Sequence, residues 1–180
     1  MPMIKLAVCD DHKIFLESFA NLMNRQRGIN VVITALSREE LIKKLRKTPN
    51  KQLPDLLLLD IWFGTGKEKK SSVVTAKYCT KRFPSLKIIA MSGLDLFPDE
   101  VFRMLEAGVK GYLPKWFGMK EFTEAIKTIS RNEIYVNEHM SEVMMITIER
   151  RRMYRDEKPN KFDLSSQQKK LIILLACGYK

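Results

Sequence analysis

The sequence predicts an α/β fold: a five-stranded parallel sheet, doubly wound, with helices on both faces. Two observations carry that prediction. Five short apolar runs alternate with five segments of helical period across residues 4–130. The runs are apolar at consecutive positions, as in Leu56-Leu57-Leu58-Leu59. Strands of that kind need cover on both faces, which a doubly wound parallel sheet supplies. A third observation joins fold to chemistry. Asp10, Asp11, Asp60, Ser92 and Lys115 all stand at or just past the carboxyl ends of these runs. Sites in such sheets form there, near the switch in strand order.

The elements follow in order. Residues 4–9 form a short apolar run that ends at Asp10-Asp11 and reads as a buried strand. Residues 14–24 place Ile14, Phe15, Phe19, Leu22 and Met23 at helical spacing. Residues 31–35 are a second strand. Ser37 and Glu40 make a capping-box pattern that opens a helix to about residue 47. Pro54 stops the chain, and residues 56–61 are a third strand around Asp60. A helix over about 72–82 follows. Residues 86–91 are a fourth strand, ending at Ser92-Gly93. Residues 98–107 are helical, with Gly108 as the stop. Residues 110–113 are the fifth strand, and 119–130 the last helix of this unit.

Composition bounds the function. The chain has 180 residues, 45% of them apolar, which suits one full domain plus a smaller piece. Its net charge is +11. Residues 132–180 hold nine basic and seven acidic residues, leaving 23 basic and 14 acidic, a net of +9, in residues 1–131. The basic excess therefore belongs to the first domain. It is read as a solvated surface or as attraction to anionic partners. Cys9, Cys79 and Cys177 are far apart, without metal-ligand spacing, and suit a reducing compartment. The first apolar run is too short for a signal peptide. No stretch approaches the ~18 apolar residues of a membrane span. A soluble, cytoplasmic protein without membrane association is expected.

Three carboxylates at two strand ends repel one another in a shared pocket. A hard cation resolves this, and Mg²⁺ takes one or two carboxylates, waters and a phosphate oxygen. Asp60 can then act as a nucleophile toward phosphorus and form an aspartyl phosphate. Lys115 offers a point charge to one phosphoryl oxygen, and Ser92 a hydroxyl to another. Phosphoryl transfer needs little beyond positioning and charge neutralisation. Taken singly, each residue also has a plain reading: a turn or helix cap for the aspartates, a turn for Ser92-Gly93, a surface position for Lys115.

The runs Val8-Cys9-Asp10-Asp11-His12, Pro54-Asp55-Leu56-Leu57-Leu58-Leu59-Asp60, Ile89-Ala90-Met91-Ser92-Gly93 and Ala107-Gly108-Val109-Lys110-Gly111-Tyr112-Leu113-Pro114-Lys115 resemble the receiver domain of bacterial two-component response regulators. The resemblance covers about residues 3–131. It implies a flavodoxin-like sheet of order 2-1-3-4-5, with Asp60 phosphorylated by a histidine kinase. It further implies that Asp10 and Asp11 organise Mg²⁺, with Asp11 and Asp60 as direct ligands and the Trp62 backbone carbonyl completing the protein's share. Ser92 and Tyr112 take the paired switch positions, and Lys115 is the phosphate-binding lysine. Phosphate would draw the Ser92 hydroxyl inward and let Tyr112 fill the space vacated. That biases the face made by the fourth helix, fifth strand and fifth helix.

Two departures stand out. After Asp60 the family's usual turn is replaced by residues 62–72, a basic, glycine-containing stretch expected to be a loop. It lacks the spacing of a phosphate-binding P-loop. The proline that often follows the family's lysine is replaced by Trp116, and Pro114 precedes the lysine; Leu113-Pro114 is left open as cis or trans.

Residues 132–161 are expected to form a helical linker, with an apolar face (Val143, Met144, Ile146, Ile148), a basic end (Arg150, Arg151, Arg152) and a polar hinge containing Pro159. Residues 162–180 carry a second capping pair, Ser165 and Gln168, before Leu171, Leu174 and Leu175. They are similar to the first helix of a LuxR-type (NarL/FixJ-like) helix-turn-helix domain. The second helix, which reads the major groove, does not follow, so DNA binding is expected only of a longer, full-length protein. The leading expectation is a non-enzymatic transcriptional response regulator, dimerising through receiver or linker. A phosphorylation-independent interaction module is the alternative. A hydrolase is disfavoured, since the only histidines are His12 and His139 and no Ser-His-Asp set or zinc spacing exists.

Overall fold

A computed structural model describes residues 3–64, 70–93, 98–133, 135, 137, 140–142, 145 and 146. The expectations for residues 65–69, for Arg150-Arg151-Arg152 and for the helix within 162–180 lie outside the described residues. The elements are β1 (Ile4–Cys9), α1 (Lys13–Asn24), β2 (Ile29–Ala35), α2 (Arg38–Lys47), a 3-10 turn (Asn50–Gln52), β3 (Leu56–Asp60), β4 (Trp62–Phe63), β5 (Lys70–Ser71), α3 (Val73–Arg82), β6 (Lys87–Ser92), α4 (Pro98–Glu106), β7 (Gly111–Pro114) and α5 (Met119–Ser130). The main sheet is parallel throughout, in the order β2-β1-β3-β6-β7. This is the predicted doubly wound order, with β4 and β5 set apart as a small ribbon.

Strand periodicity splits the core in two. Ala7, Cys9, Leu57, Leu59, Ile88, Ala90 and Tyr112 face a layer built by α2, α3 and α4, with Leu41, Leu45, Ala76, Cys79 and Met104 packed on them. Leu6, Val8, Leu56, Leu58, Ile89, Met91 and Leu113 face α1 and α5, against Phe19, Met23, Phe122 and Ile126. Alternate residues of one strand thus serve opposite layers, which is why β3 is apolar without interruption. The parallel registers Cys9↔Leu59, Asp60↔Met91 and Ser92↔Pro114 bring the carboxyl ends of β1, β3, β6 and β7 to one edge.

Local signals hold at the helix ends. Ser37 Oγ accepts the Glu40 N–H at 3.1 Å, and Glu40 Oε2 accepts the Leu36 N–H at 2.7 Å, a capping box that reaches one residue further back. Gly108 follows α4 with φ +92°, the left-handed stop that suits glycine. At Gly111 an added Cβ would lie 2.9 Å from Ile129 Cδ1, so glycine lets α5 close on β7. Leu113-Pro114 is trans. Pro114 is tolerated because it ends an edge strand.

Two expectations change. β2 begins at Ile29 rather than residue 31, because pairing with β1 continues through Ile4↔Ile29 and Lys5↔Asn30 despite a polar residue. The stretch after Asp60 is not simply a loop: Trp62 pairs with Ser71 and Phe63 with Lys70, antiparallel. Phe63 is buried, with the Arg38 guanidinium 5.8 Å from its ring centre. That anchor, and Arg38 donating to the Ser71 carbonyl at 3.3 Å, tie the ribbon to α2.

Beyond α5 the chain turns back on the sheet. Tyr135 packs on the α1–α5 side, and Met140 is buried. Asn137 donates its side-chain amide to the Tyr112 carbonyl at 2.9 Å, and its amide oxygen accepts the Met140 N–H at 2.8 Å. One side chain therefore caps a helical turn and satisfies the edge of β7. No helix among the described residues is long and apolar enough to cross a membrane.

Candidate phosphoacceptor site

Asp10 follows the last residue of β1, and Asp60 is the last residue of β3. Because those strands are neighbours, the two carboxylates meet at the sheet edge, with the residues 0% and 3% exposed. Lys115, just past β7, reaches both. Its ammonium lies 2.6 Å from Asp10 Oδ2 and 2.8 Å from Asp60 Oδ2. The Lys115 N–H donates to the Ser92 carbonyl at 2.7 Å, extending the β6–β7 ladder and fixing the root of the lysine. Phe15 of α1 faces the ammonium at 5.0 Å from its ring centre, a favourable cation–π contact in a half-dry setting. Ser92, the last residue of β6, is buried at the same edge.

Asp11 stands beside this pair, its side chain 24% exposed. Its Oδ2 accepts the Gly64 N–H at 2.6 Å, which moors the ribbon's first strand to the site. Asp11 Oδ1 is enclosed and accepts no hydrogen bond, with His12 Nδ1 beside it at 3.0 Å. Asp10 Oδ2 likewise accepts no well-directed hydrogen bond, though the Lys115 charge is close. His12 also holds Asp10 Oδ1, through its N–H at 3.0 Å and its ring at 3.1 Å. Ligand atoms of Asp10, Asp11, His12 and Asp60 all lie within 4.8 Å of one another.

The electrostatics are those of crowded carboxylates in a dry place. Burial pushes the Asp60 carboxyl up to about 6, and the neighbouring Asp10 charge adds to it, while Lys115 opposes both. Burial also raises the Cys9 thiol, helped by the Asp10 charge, and raises Cys79 to about 11. Both cysteines are free, buried and unreactive, so they serve packing.

The residues fit a hard divalent cation. Two enclosed carboxylate oxygens lack hydrogen bonds, and the donor set is dominated by aspartate oxygen. The edge thus offers a buried carboxylate, a fixed ammonium and a patch of anionic oxygen.

The sequence-derived residues Asp10, Asp11, Asp60, Ser92 and Lys115 share this edge. Trp62 adjoins it: its N–H lies 3.4 Å from Asp60 Oδ1. Tyr112 is buried on β7, two strands from Asp60, on the α4 side of the sheet. Three further contributors were not among the sequence-derived site residues. His12 had its place beside two aspartates as a signal. Gly64 acts through its backbone and gave none. Ser72, fully buried, donates its hydroxyl to the Asp60 carbonyl at 2.5 Å and so holds the Asp60 backbone.

Comparison with known proteins identifies the family and the fold. The family described as "Response regulator receiver domain" matches residues 6–127. The chain belongs to that family. Among curated relatives, the oxygen regulatory protein NreC of Staphylococcus epidermidis is 27% identical over 182 residues, covering 98% of this chain and 78% of NreC. NreC of Staphylococcus aureus is 29% identical over 136 residues, 74% of this chain and 58% of that protein. The isolated receiver of RcsB from Salmonella enterica, solved with a phosphomimetic BeF3⁻, superposes with a TM-score of 0.65 at 21% identity, over 78% of this chain and 98% of that one. A longer RcsB structure in complex with DNA gives 0.69 at 21% identity, over 99% and 79%. As a response-regulator receiver, the protein carries the α/β fold these structures share.

Proposed function

We propose that this receiver takes a phosphoryl group from a histidine kinase onto Asp60 and uses it to switch a transcription-regulating output. One observation carries the reading: the Lys115 ammonium bridges Asp10 and Asp60 at 2.6 and 2.8 Å across the strand ends. An Asp60 carboxylate oxygen attacks phosphorus. The bond from phosphorus to the donor's imidazole nitrogen breaks, the nitrogen keeps the electron pair, and a P–O bond forms on Asp60. Mg²⁺, held by Asp10, Asp11, Asp60 and the Trp62 carbonyl, supplies charge neutralisation when bound. Lys115 exchanges a carboxylate for a phosphoryl oxygen, and the Ser92 hydroxyl binds another. Tyr112, buried against the α4 layer, is the packed element that the Ser92 movement biases. Ser72 and Gly64 keep Asp60 and Asp11 in place.

The remaining architecture follows the same reading. Residues 1–131 are the receiver, 132–161 a helical linker, and 162–180 the first part of a LuxR-type helix-turn-helix domain. The protein works in the cytoplasm and dimerises through receiver or linker. DNA binding is the output this reading assigns, and an RcsB–DNA complex is among the similar structures. It turns over no external substrate.

The test is intact-mass measurement after incubation with a histidine kinase or acetyl phosphate in Mg²⁺. The wild-type chain gains one phosphoryl group and Asp60→Asn gains none. An unmodified wild-type chain would leave the phosphorylation-independent interaction module in its place.

A further inference from the structure

The charge of the receiver is unevenly placed. α2 carries five basic and two acidic residues, and α3 three basic and none acidic. α1 and α5 are each balanced, and α4 holds one basic and three acidic residues. Among the helices, the basic excess therefore sits on two adjoining ones. They are joined where Arg46 Nε donates to Tyr78 Oη at 2.9 Å, with the guanidinium 5.7 Å from the ring centre. Lys43, Arg46, Lys47, Lys77, Lys81 and Arg82 are all exposed. Among the described residues no carboxylate forms an ion pair with Lys43, Lys47, Lys77 or Lys81.

Helix stability does not call for this arrangement. Basic residues in a last turn complement the helix dipole, which accounts for Lys47, Lys81 and Arg82. It does not account for Lys43 and Lys77. Each instead stands four residues before a like charge, Lys47 and Lys81, a pairing that costs ~0.2–0.5 kcal/mol.

We propose that the α2–α3 face is a docking surface for the phosphate backbone of double-stranded nucleic acid, bound without regard to sequence. Successive lysines on one helix stand ~6 Å apart along its axis, and the Arg46–Tyr78 contact sets the two rows side by side. The result is a two-row lattice of positive charge, suited to a regular array of phosphates. Protein interfaces are depleted in lysine and centred on apolar anchors. These two helices expose one large apolar side chain, Val74. The surface is separate from the α4–β7–α5 face, so it stays available in either switch state.

The experiment uses the full 180-residue chain and a labelled DNA duplex of arbitrary sequence, with affinity measured by anisotropy from 50 to 200 mM NaCl. Neutralising four phosphates gives a log–log slope of about −3.6, a loss of roughly 150-fold across that range. Single reversals such as Lys77→Glu reduce the slope by about 1. Reversing Lys43, Lys47, Lys77 and Lys81 together removes binding at 50 mM. If that variant fails to fold by circular dichroism, the milder Lys77→Gln/Lys81→Gln pair gives the slope change instead. Any of four results overturns the proposal: no binding at 50 mM; a slope indifferent to these lysines; abolition of binding by reversing Arg150, Arg151 and Arg152; or equal binding to polyglutamate or anionic vesicles.

Discussion

Leu58 and Asp60 lie two residues apart on β3, turned to the same face of the sheet, and both are shielded from water. They make opposite contributions. Leu58 sits among Leu6, Val8, Ile89 and Met91, where burial is its own reward in free energy. Asp60 sits among Asp10, Lys115 and the Trp62 N–H, where burial works against its charge. The same strand thus changes, within one pleat repeat, from an element that stabilises the fold to one that strains it. The strand end thus sets a rigid apolar floor beneath a buried carboxylate crowded by a second one.

The contrast can be broken from either side. The largest effect is expected from Leu58→Ala, which opens a cavity between strand and helices and lowers unfolding free energy by about 3 kcal/mol. Urea denaturation measures it. A loss under about 1 kcal/mol would mean that the floor is not tightly packed there.

Asp60→Asn should act in the opposite direction in EDTA at neutral pH. The folded carboxyl titrates near 6 against 3.8 in the free group, so the folded state holds more protons between those values. Stability from this group is full below pH 3.8 and falls as pH rises through about 6. From pH 5 to 7.5 the loss is on the order of 1 kcal/mol for wild type and absent in Asp60→Asn. Melting curves at both pH values decide this, and parallel pH profiles for the two proteins would refute it. Mg²⁺ should flatten the wild-type profile at neutral pH.

Between these extremes lie polar side chains whose partners are in place. Asn137 is the clearest. Asn137→Asp keeps the acceptor for the Met140 N–H but loses the donor to the Tyr112 carbonyl; Asn137→Ala loses both. Hydrogen exchange at residues 140–142 should speed up in both variants, reflecting about 1 kcal/mol of lost protection in the aspartate variant. If aspartate behaves as wild type, the anchor to β7 contributes nothing and only the cap counts. The smallest expected change is Ser37→Ala, which removes the α2 cap and costs about 0.5–1 kcal/mol by thermal melting.

Legibility in the sequence followed the same division. The apolar floor was readable because β3 and its neighbours are apolar at every position and the helices repeat at their own period. The Ser37–Glu40 cap was readable because its partners are local. The aspartates, Ser92 and Lys115 were readable as a set because each ends a strand. The ribbon formed by Trp62–Phe63 and Lys70–Ser71 was not: two-residue strands carry no period, and Phe63 depends on Arg38 from another element. Nor could Gly64, acting by its backbone, be told from any turn glycine.

The sequence by itself determined the layers, the strand ends and the chemical types gathered there, because burial periodicity and end position are properties of short segments. Tertiary structure decided how those groups are paired. Lys115 meets Asp60 across 55 residues, Gly64 meets Asp11 across 53, and Asn137 meets Tyr112 across 25. Such contacts depend on strand register and on how far each helix closes on the sheet, and no local pattern encodes either.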